Sequence, residues 1–153
     1  MIRRMTIDDY EEICALWFSI EGFRIRKIDD SKENLQRFLL KNPGLSVVAV
    51  EAGKVVGTIL CGHDGRVANV YHVCVAANFQ RQGIATMMVK KVVEALKKEG
   101  ITTIHLQAVK QNQGANTFWQ SLGWQRQQVS HSYQYELNDW NQIEVVKNGE
   151  KTV

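Results

Sequence analysis

The chain has 153 residues, of which 44% are hydrophobic and 23% charged, a balance typical of one soluble globular domain and not of a disordered chain. Its 19 basic and 16 acidic residues are spread along the sequence and leave a formal charge of +3. Nucleic acid is therefore not an expected partner, because proteins that bind it usually gather Lys and Arg into a patch. No stretch approaches the roughly 20 apolar residues of a membrane span, and the N-terminal segment is not an apolar signal stretch. We therefore expect a cytoplasmic protein with no membrane partner.

A short strand and two helices are predicted in the N-terminal part of the chain. After the strand, Thr6 is a candidate N-cap, and apolar residues repeat at helical spacing over positions 13–20. A second helix is predicted to start near Ser31 and to stop before Pro43, because the residue ahead of a proline disfavours the helical region. The segment between the helices, "EGFRIRKIDD" (21–30), is polar and is predicted to be a flexible connection.

Strands joined by short turns are predicted in the middle of the chain. "LSVVAVEAGKVVGTILCG" contains two runs of β-branched residues that meet at Ala52 and Gly53, as in a hairpin. "HDGR" then leads into a third strand, "VANVYHVCV" (67–75). A helix is predicted over 82–99, with Gly100 as its terminator, and another strand over 101–109.

The C-terminal part is predicted to contain one helix and two strands. The helix lies within "NQGANTFWQSL" and ends at Gly123, and the strands cover 124–130 and 132–137. No linker divides the chain, so we expect a single domain over 1–137 and a partly ordered tail over 138–153. Hairpins require antiparallel pairing, whereas a strand, helix, strand unit requires a parallel pair. The sheet must therefore be mixed.

The turn "QRQGIA" (80–85), between the third strand of the middle region and its helix, is a candidate anion site. The start of a helix presents unpaired amides and about half a positive charge. Gly83 lets a ligand approach the backbone, Ala85 adds little bulk, and Arg81 can supply a charged donor. A plain turn is equally compatible with these residues. The phosphate-loop patterns GxxxxGK and GxGxxG do not occur at the required places, which disfavours a nucleotide hydrolase or a dinucleotide fold.

The cysteines and histidines do not show metal-ligand spacing. Cys14, Cys61 and Cys74 lie in apolar surroundings and are predicted to be reduced core thiols. The four histidines have no Cys or carboxylate at ligand spacing, so no metal is expected.

Two segments together resemble the motifs of the GNAT superfamily, the N-acetyltransferases that use acetyl-coenzyme A. "VYHVCVAANFQRQGIATMMVKKVVEAL" (70–96) is similar to the central motif, with Gln80, Gly83 and Ala85 at its key positions. "VKQNQGANTFWQSLGW" is similar to the second motif, which it matches at Asn112, Ala115, Trp119, Gly123 and Trp124. The resemblance covers nearly the whole chain. It implies the α/β (α+β) GNAT fold, with a mixed, mostly antiparallel sheet of six to seven strands, about four flanking helices and a splayed parallel strand pair.

The resemblance also implies the chemistry, which is direct transfer of an acetyl group from acetyl-CoA to a primary amine. The pantetheine arm would lie between the splayed strands, and an amide near Val73 would stabilise the oxyanion. The implied coenzyme-binding residues are Val73, Val75, Gln80, Arg81, Gln82, Gly83, Ile84, Ala85, Thr86, Asn112 and Trp119. Asn112 can equally be a simple helix cap. The resemblance is compatible with a homodimer.

Two departures from the family pattern leave the acid and the base open. Trp119 stands where many relatives have a Tyr that protonates the thiolate, and Asn69 stands where some have a Glu. Tyr71 and His72, which strand alternation places on opposite faces of the strand, are candidate bases. Deprotonation of the amine through solvent is a further open alternative. Residues 63–64 are either a solvated turn or an acceptor contact. A binding module that has kept the coenzyme site but lost efficient catalysis is the alternative function, and the sequence does not identify the acceptor.

Overall fold

A five-stranded mixed sheet is the frame of the protein in the computed structural model, which describes residues 1–147. The strands are β1 (Ile2–Arg4), β2 (Arg24–Arg26), β3 (Val47–Glu51), β4 (Lys54–His63), β5 (Val67–Val75), β6 (Thr103–His105) and β7 (Ile143–Val145). The helices are α1 (Tyr10–Phe18), α2 (Lys32–Lys41), α3 (Ile84–Lys98) and α4 (Gln113–Ser121), with short 3₁₀ turns at Ile7–Asp9 and Ala77–Phe79.

The strand order in the sheet is β1-β3-β4-β5-β6, and β2 and β7 form a separate two-stranded ribbon. All pairs are antiparallel except β5 with β6, which are parallel. The predicted fold class is confirmed. Within residues 1–147, however, the strands divide into a central sheet and a ribbon and do not form one continuous sheet.

The local signals for helix starts and turns are confirmed. Thr6 is extended and donates its main-chain N–H to Asp9 Oδ2 at 2.8 Å, in a capping box. Ser31 Oγ accepts the N–H of Asn34, and α2 ends two residues before Pro43. The predicted hairpin joins β3 to β4.

The sheet separates two apolar cores. On one face, α3 and α4 pack Met88, Leu96 and Trp119 against the strands. On the other face, α1 and α2 contribute Trp17 and Leu35. Residues of β5 therefore face one core or the other according to their place in the strand. None of the helices in residues 1–147 is long and apolar enough to cross a membrane.

The prediction of two strands near the C-terminus, over 124–130 and 132–137, is wrong. Residues 124–137 have no regular secondary structure, and Val129, Tyr133 and Tyr135 are 92%, 91% and 88% exposed. Their alternating pattern resembles a strand, but no apolar surface within residues 1–147 covers these side chains.

The segment 21–30, predicted to be flexible, contains a strand. β2 pairs with β7 from Arg24↔Val145 to Arg26↔Ile143, and Ile25 is only 7% exposed. Val146, directly after β7, is 1% exposed. The ribbon therefore fixes the connection between α1 and α2 against the second core.

Candidate active site

The two parallel strands of the sheet separate after a short contact. β5 and β6 pair only from Val67↔Thr103 to Asn69↔His105. β5 continues to Val75, whereas the chain after His105 leaves the strand and does not continue it to position 109 as predicted. In the described part of the chain, the β6-facing edge of β5 beyond Asn69 thus has no strand partner. The splayed pair is confirmed, and its open edge runs toward the start of α3.

A turn with two left-handed residues connects β5 to α3. Arg81 has φ 63° and Gly83 has φ 81°, a conformation that glycine adopts without strain. Gln80 Nε2 donates to the carbonyl of Val75 at 3.0 Å, and Gln82 Nε2 donates to a main-chain carbonyl of the preceding 3₁₀ turn at 3.3 Å. Two side chains of the turn therefore fold back and fix its path.

The main-chain amides at the start of α3 are unpaired donors. The N–H groups of residues 82–86 donate to no acceptor within residues 1–147, and no side chain caps the helix. A Cβ atom built on Gly83 would meet no atom of the described residues within 4 Å, so the space beside these amides is open in that part of the chain. Because the positive end of the helix dipole adds to these donors, the arrangement is suited to an anion such as a phosphate.

The predicted coenzyme residues of the second motif, Asn112 and Trp119, cap a helix and pack in the core. Asn112 caps α4, since its Oδ1 accepts the N–H of Ala115 at 3.0 Å. Trp119 is 8% exposed and lines a small cavity together with Val70 of β5 and Ile104 of β6. It therefore lies in the apolar interior that packs against the two splayed strands. An indole N–H donates a hydrogen bond but does not release a proton at neutral pH. The structure therefore supplies no acid at this position.

A bulge in β5 places Tyr71 and His72 on the same face of the sheet. The register with β4 shifts between Thr58 and Leu60, so two residues of β5 face one of β4, and His72 has φ 51°. Tyr71 contacts a ring of α2, and His72 contacts a ring of α1. The prediction of opposite faces is wrong because alternation does not continue through a bulge.

His72 forms a close pair with a buried carboxylate. Its Nε2 lies 2.8 Å from Asp30 Oδ1, and the side chain of Asp30 is only 6% exposed. The other oxygen of Asp30 accepts the main-chain N–H of Arg26 at 2.7 Å. Tyr10 Oη donates to the Asp30 carbonyl at 2.9 Å, which fixes the main chain of this segment. Sequence reasoning missed Asp30, since it lies in the segment taken for a flexible connection.

The buried hydroxyl of Thr58, on the neighbouring strand β4, holds the bulge in place. Thr58 is fully buried, accepts the indole N–H of Trp17 at 3.0 Å and donates to the carbonyl of His72 at 2.7 Å. Its Oγ1 also lies 3.2 Å from Cys74 Sγ. Burial raises the pKa of Cys74 to about 11, so this thiol is almost fully protonated at neutral pH.

A polar cleft opens on the same face, beside Tyr71. Its volume is about 200 Å³, and it is lined by Phe38, Asn42, Gly62, His63, Asp64, Asn69 and Tyr71. Tyr71 is half exposed, and burial, with a further contribution from the charge of Asp29, raises the pKa of its hydroxyl. His63 and Asp64 thus border a cleft, and Asp64 also accepts two main-chain N–H groups of its own turn.

No metal centre is formed in the part of the chain that the structure describes. Within residues 1–147, no three His, Cys, Asp or Glu side chains are grouped so that they could hold a metal ion.

Known proteins share these features of sequence and fold. The model of the Acetyltransferase (GNAT) family matches residues 8–124. Acetyltransferase SG1711 of Sodalis glossinidius is 29% identical over 126 residues, which cover 82% of this chain and 87% of that protein. Acetyltransferase plu1384 of Photorhabdus laumondii is 32% identical over 105 residues, which cover 69% of this chain and 72% of that protein.

A solved structure gives the same result for the fold. The paia N-acetyltransferase of Thermoplasma acidophilum, solved in complex with coenzyme A, aligns with a TM-score of 0.69 over 80% of this chain and 87% of that one. At 17% identity this likeness concerns the fold alone. The family match over residues 8–124, with the splayed strands and the turn before α3, leads to one conclusion: the chain belongs to the GNAT acetyltransferase family.

Proposed function

We propose that the protein transfers the acetyl group of acetyl-CoA directly to a primary amine. The observation that carries this proposal is the row of unpaired amides at residues 82–86, which lies where the open edge of β5 ends. A diphosphate needs several hydrogen-bond donors and a positive potential, and the helix start supplies both. The coenzyme A complex of the Thermoplasma acidophilum protein, which has the same fold, supports this choice of ligand.

The main chain would carry most of the coenzyme binding. The amides of residues 82–86 hold the diphosphate, and the exposed Arg81 adds a charged donor. The open edge of β5, at Val73 and Val75, offers main-chain groups to the amides of the pantetheine arm. One lone pair of the Val75 carbonyl is already taken by Gln80, so this side chain acts by holding the turn in place.

The reaction needs a neutral amine, a polarised carbonyl and an acceptable leaving group. The amine nitrogen forms a bond to the thioester carbon, the C–S bond breaks, and the coenzyme leaves as a thiolate that takes up a proton. A main-chain amide at Val73 would stabilise the oxyanion, a contribution of about 100-fold or more in other enzymes. A thiol with a pKa of about 8.5 is a tolerable leaving group without a dedicated acid.

A covalent acyl-enzyme on Cys74 is not part of the proposal. A thiolate is the reactive form of cysteine, and burial raises the pKa of Cys74 to about 11. Direct transfer from the coenzyme to the amine is therefore the simpler route.

The proposal is tested by measuring release of free thiol from acetyl-CoA in the presence of amines. The panel includes a polyamine, a lysine-containing peptide, a peptide with a free N-terminus, an amino acid and an aminoglycoside. We expect amine-dependent thiol release and an equal amount of acetylated amine by mass spectrometry. Thiol release that does not depend on any amine would contradict the proposal.

A second function is favoured by one feature of the site. Trp119 occupies the position of the family's acid and cannot supply a proton, which suits a module that binds acetyl-CoA without efficient turnover. Such a module would be stabilised thermally by acetyl-CoA and yet acetylate no amine of the panel.

A further inference from the structure

The bulge of β5 places a histidine–aspartate pair next to the main chain at which the thioester is proposed to lie. His72 directly precedes Val73 in this strand. Its ring packs against Trp17 with 4.5 Å between ring centroids and against Phe23 with 4.9 Å. Because these rings and the Asp30 carboxylate contact it together, the imidazole is held in one orientation.

The hydrogen bonds of the pair determine which imidazole nitrogen is free. An ionised carboxylate only accepts hydrogen bonds, so Nε2 of His72 must donate to Asp30. In the neutral ring Nδ1 then carries the lone pair. Nδ1 has no hydrogen bond within residues 1–147, where every fully buried side-chain nitrogen or oxygen has a partner. Nδ1 therefore reaches solvent and can accept a proton.

The carboxylate is fixed as firmly as the ring. Its second oxygen accepts the N–H of Arg26 at 2.7 Å, and Arg26 is the last residue of β2, which the β2–β7 ribbon holds in place. A carboxylate that is 6% exposed is costly to bury unless it is paired in this way. His72 also keeps a left-handed backbone, which is rare for a residue other than glycine. Strain and a buried charge beside a proposed reaction centre indicate a role beyond packing.

We propose that His72 is the general base of the acetyl transfer and that Asp30 is its positioning residue, an inference that rests on the proposed function. An ammonium loses two protons when it becomes an amide. The first passes to Nδ1 and frees the lone pair of the nitrogen, and the Asp30 carboxylate stabilises the imidazolium. The second leaves as the C–N bond forms and the C–S bond breaks. One proton ends on the coenzyme thiol and the other in solvent.

Tyr71, the other candidate base, does not fit this role. Burial raises the pKa of its hydroxyl, so the phenolate that could take a proton is scarce at neutral pH. Two further titratable groups lie close to the pair. Tyr10 donates to the main-chain carbonyl of Asp30. The Cys74 thiol contacts the Thr58 hydroxyl that donates to the main-chain carbonyl of His72. Burial raises the pKa of Tyr10 and of Cys74. Both largely keep their protons across the pH range used below, so neither competes with His72 and Asp30 as a base.

Asp30→Asn gives a sharp test because the structure dictates how the amide must lie. The N–H of Arg26 needs an acceptor, so the amide oxygen faces Arg26 and the amide nitrogen faces His72 Nε2. Nε2 must then accept and the ring proton moves to Nδ1, which removes the free lone pair with little change in shape. The matched control is Asp29→Asn, since the Asp29 carboxylate contacts Arg26 and Asn141 and not the histidine.

The first measurement is ¹⁵N NMR of the imidazole rings and does not depend on any acceptor. In the wild type and in Asp29→Asn we expect His72 with a protonated Nε2 and a bare Nδ1, and a shift of its signals when acetyl-CoA is added. In Asp30→Asn we expect the opposite tautomer. A bare Nε2 in the wild type, or signals that do not respond to acetyl-CoA, would overturn the inference.

The second measurement is kcat/KM with an amine that the wild type acetylates, at about pH 7 and about pH 9.5. Loss of a general base costs roughly 100-fold or more, so His72→Gln and Asp30→Asn should show this loss near pH 7 with an unchanged KM for acetyl-CoA. The loss should shrink near pH 9.5, because an alkyl amine with a pKa of about 10 is then partly neutral. Equal losses at both pH values would mean a structural role and refute the inference. Failure of the wild type to acetylate any amine would instead refute the proposed function. The NMR result would still show whether His72 has the expected tautomer and responds to acetyl-CoA.

Discussion

Replacing Gly83 by alanine adds one methyl group at the start of α3, beside the unpaired amides. Gly83 has φ 81°, and an L-residue in this region costs about 1–2 kcal/mol. Among residues 1–147 no atom lies within 4 Å of the new Cβ, so none of them adds a steric clash to this cost in the free protein. For a domain of this size the melting temperature should fall by roughly 2–8 °C.

The effect of Gly83→Ala on ligand binding should be larger than its effect on folding. The methyl group would enter the open space beside the amides of residues 82–86, where the diphosphate is proposed to lie. Losing one hydrogen bond to a charged group costs about 1.5–3 kcal/mol. The Kd for coenzyme A, measured by calorimetry, should therefore rise about 10- to 150-fold.

Gly100 provides a matched control at the other end of α3. It has φ 77°, and a Cβ there would also meet no atom of the described part of the chain within 4 Å. Gly100→Ala should therefore lose as much stability as Gly83→Ala while binding coenzyme A like the wild type. If the two variants bind coenzyme A with Kd values within about threefold of each other, a difference of only about 0.7 kcal/mol, the amides do not hold the diphosphate and the reasoning fails.

Three further predictions concern buried groups. Cys74, whose pKa burial raises to about 11, should resist iodoacetamide at neutral pH, and Cys74→Ser should keep its turnover. Burial raises the pKa of Asp9, but hydrogen bonds from Arg3 and from a main-chain N–H outweigh it and hold the pKa below its usual value. The stability that the Arg3–Asp9 pair contributes is therefore present above about pH 4 and is lost as pH falls through the lowered pKa. Asp9→Asn should lower the free energy of unfolding by about 1–3 kcal/mol at pH 7 and should flatten this acid dependence in urea titrations. Thr58→Val keeps the shape of the side chain but leaves the Trp17 N–H and a main-chain carbonyl unpaired, and should cost about 2–4 kcal/mol in urea unfolding.

Each of these expectations has a clear contrary result. Rapid alkylation of Cys74 in the folded protein would contradict its burial as a thiol. An Asp9→Asn variant as stable as the wild type at pH 7 would show that the Arg3 pair contributes nothing. A Thr58→Val variant of wild-type stability would mean that other groups satisfy the two partners.

Much of the fold follows from signals that act within a few residues. Thr6, Ser31 and Pro43 set helix ends through their own hydrogen bonds or backbone restriction, and the structure has these ends where expected. The turn before α3 is also local, because the left-handed conformation of Gly83 depends only on its lack of a side chain. Such features do not depend on distant parts of the chain.

The errors arise where distant contacts decide the structure. β2 and β7 are three residues long and join positions as far apart as Arg24 and Val145, so no local period reveals them. The alternating pattern around Tyr133 and Tyr135 resembles a strand, yet both side chains are exposed. The face to which His72 points depends on a bulge in β5 that the Thr58 hydroxyl of β4 holds in place. The same bulge brings the imidazole of His72 to the carboxylate of Asp30, which lies between β2 and α2.

The central claim is that main-chain donors at the start of α3 bind the diphosphate of acetyl-CoA. Calorimetric titration of the wild-type protein with coenzyme A and, separately, with pantetheine tests it most directly, because pantetheine has the same arm but no diphosphate. We expect coenzyme A to bind at one site per chain. We expect pantetheine to bind at least about 100-fold more weakly, a difference of about 2.7 kcal/mol or more. Equal affinity for the two ligands, or no association at millimolar coenzyme A, would contradict the claim.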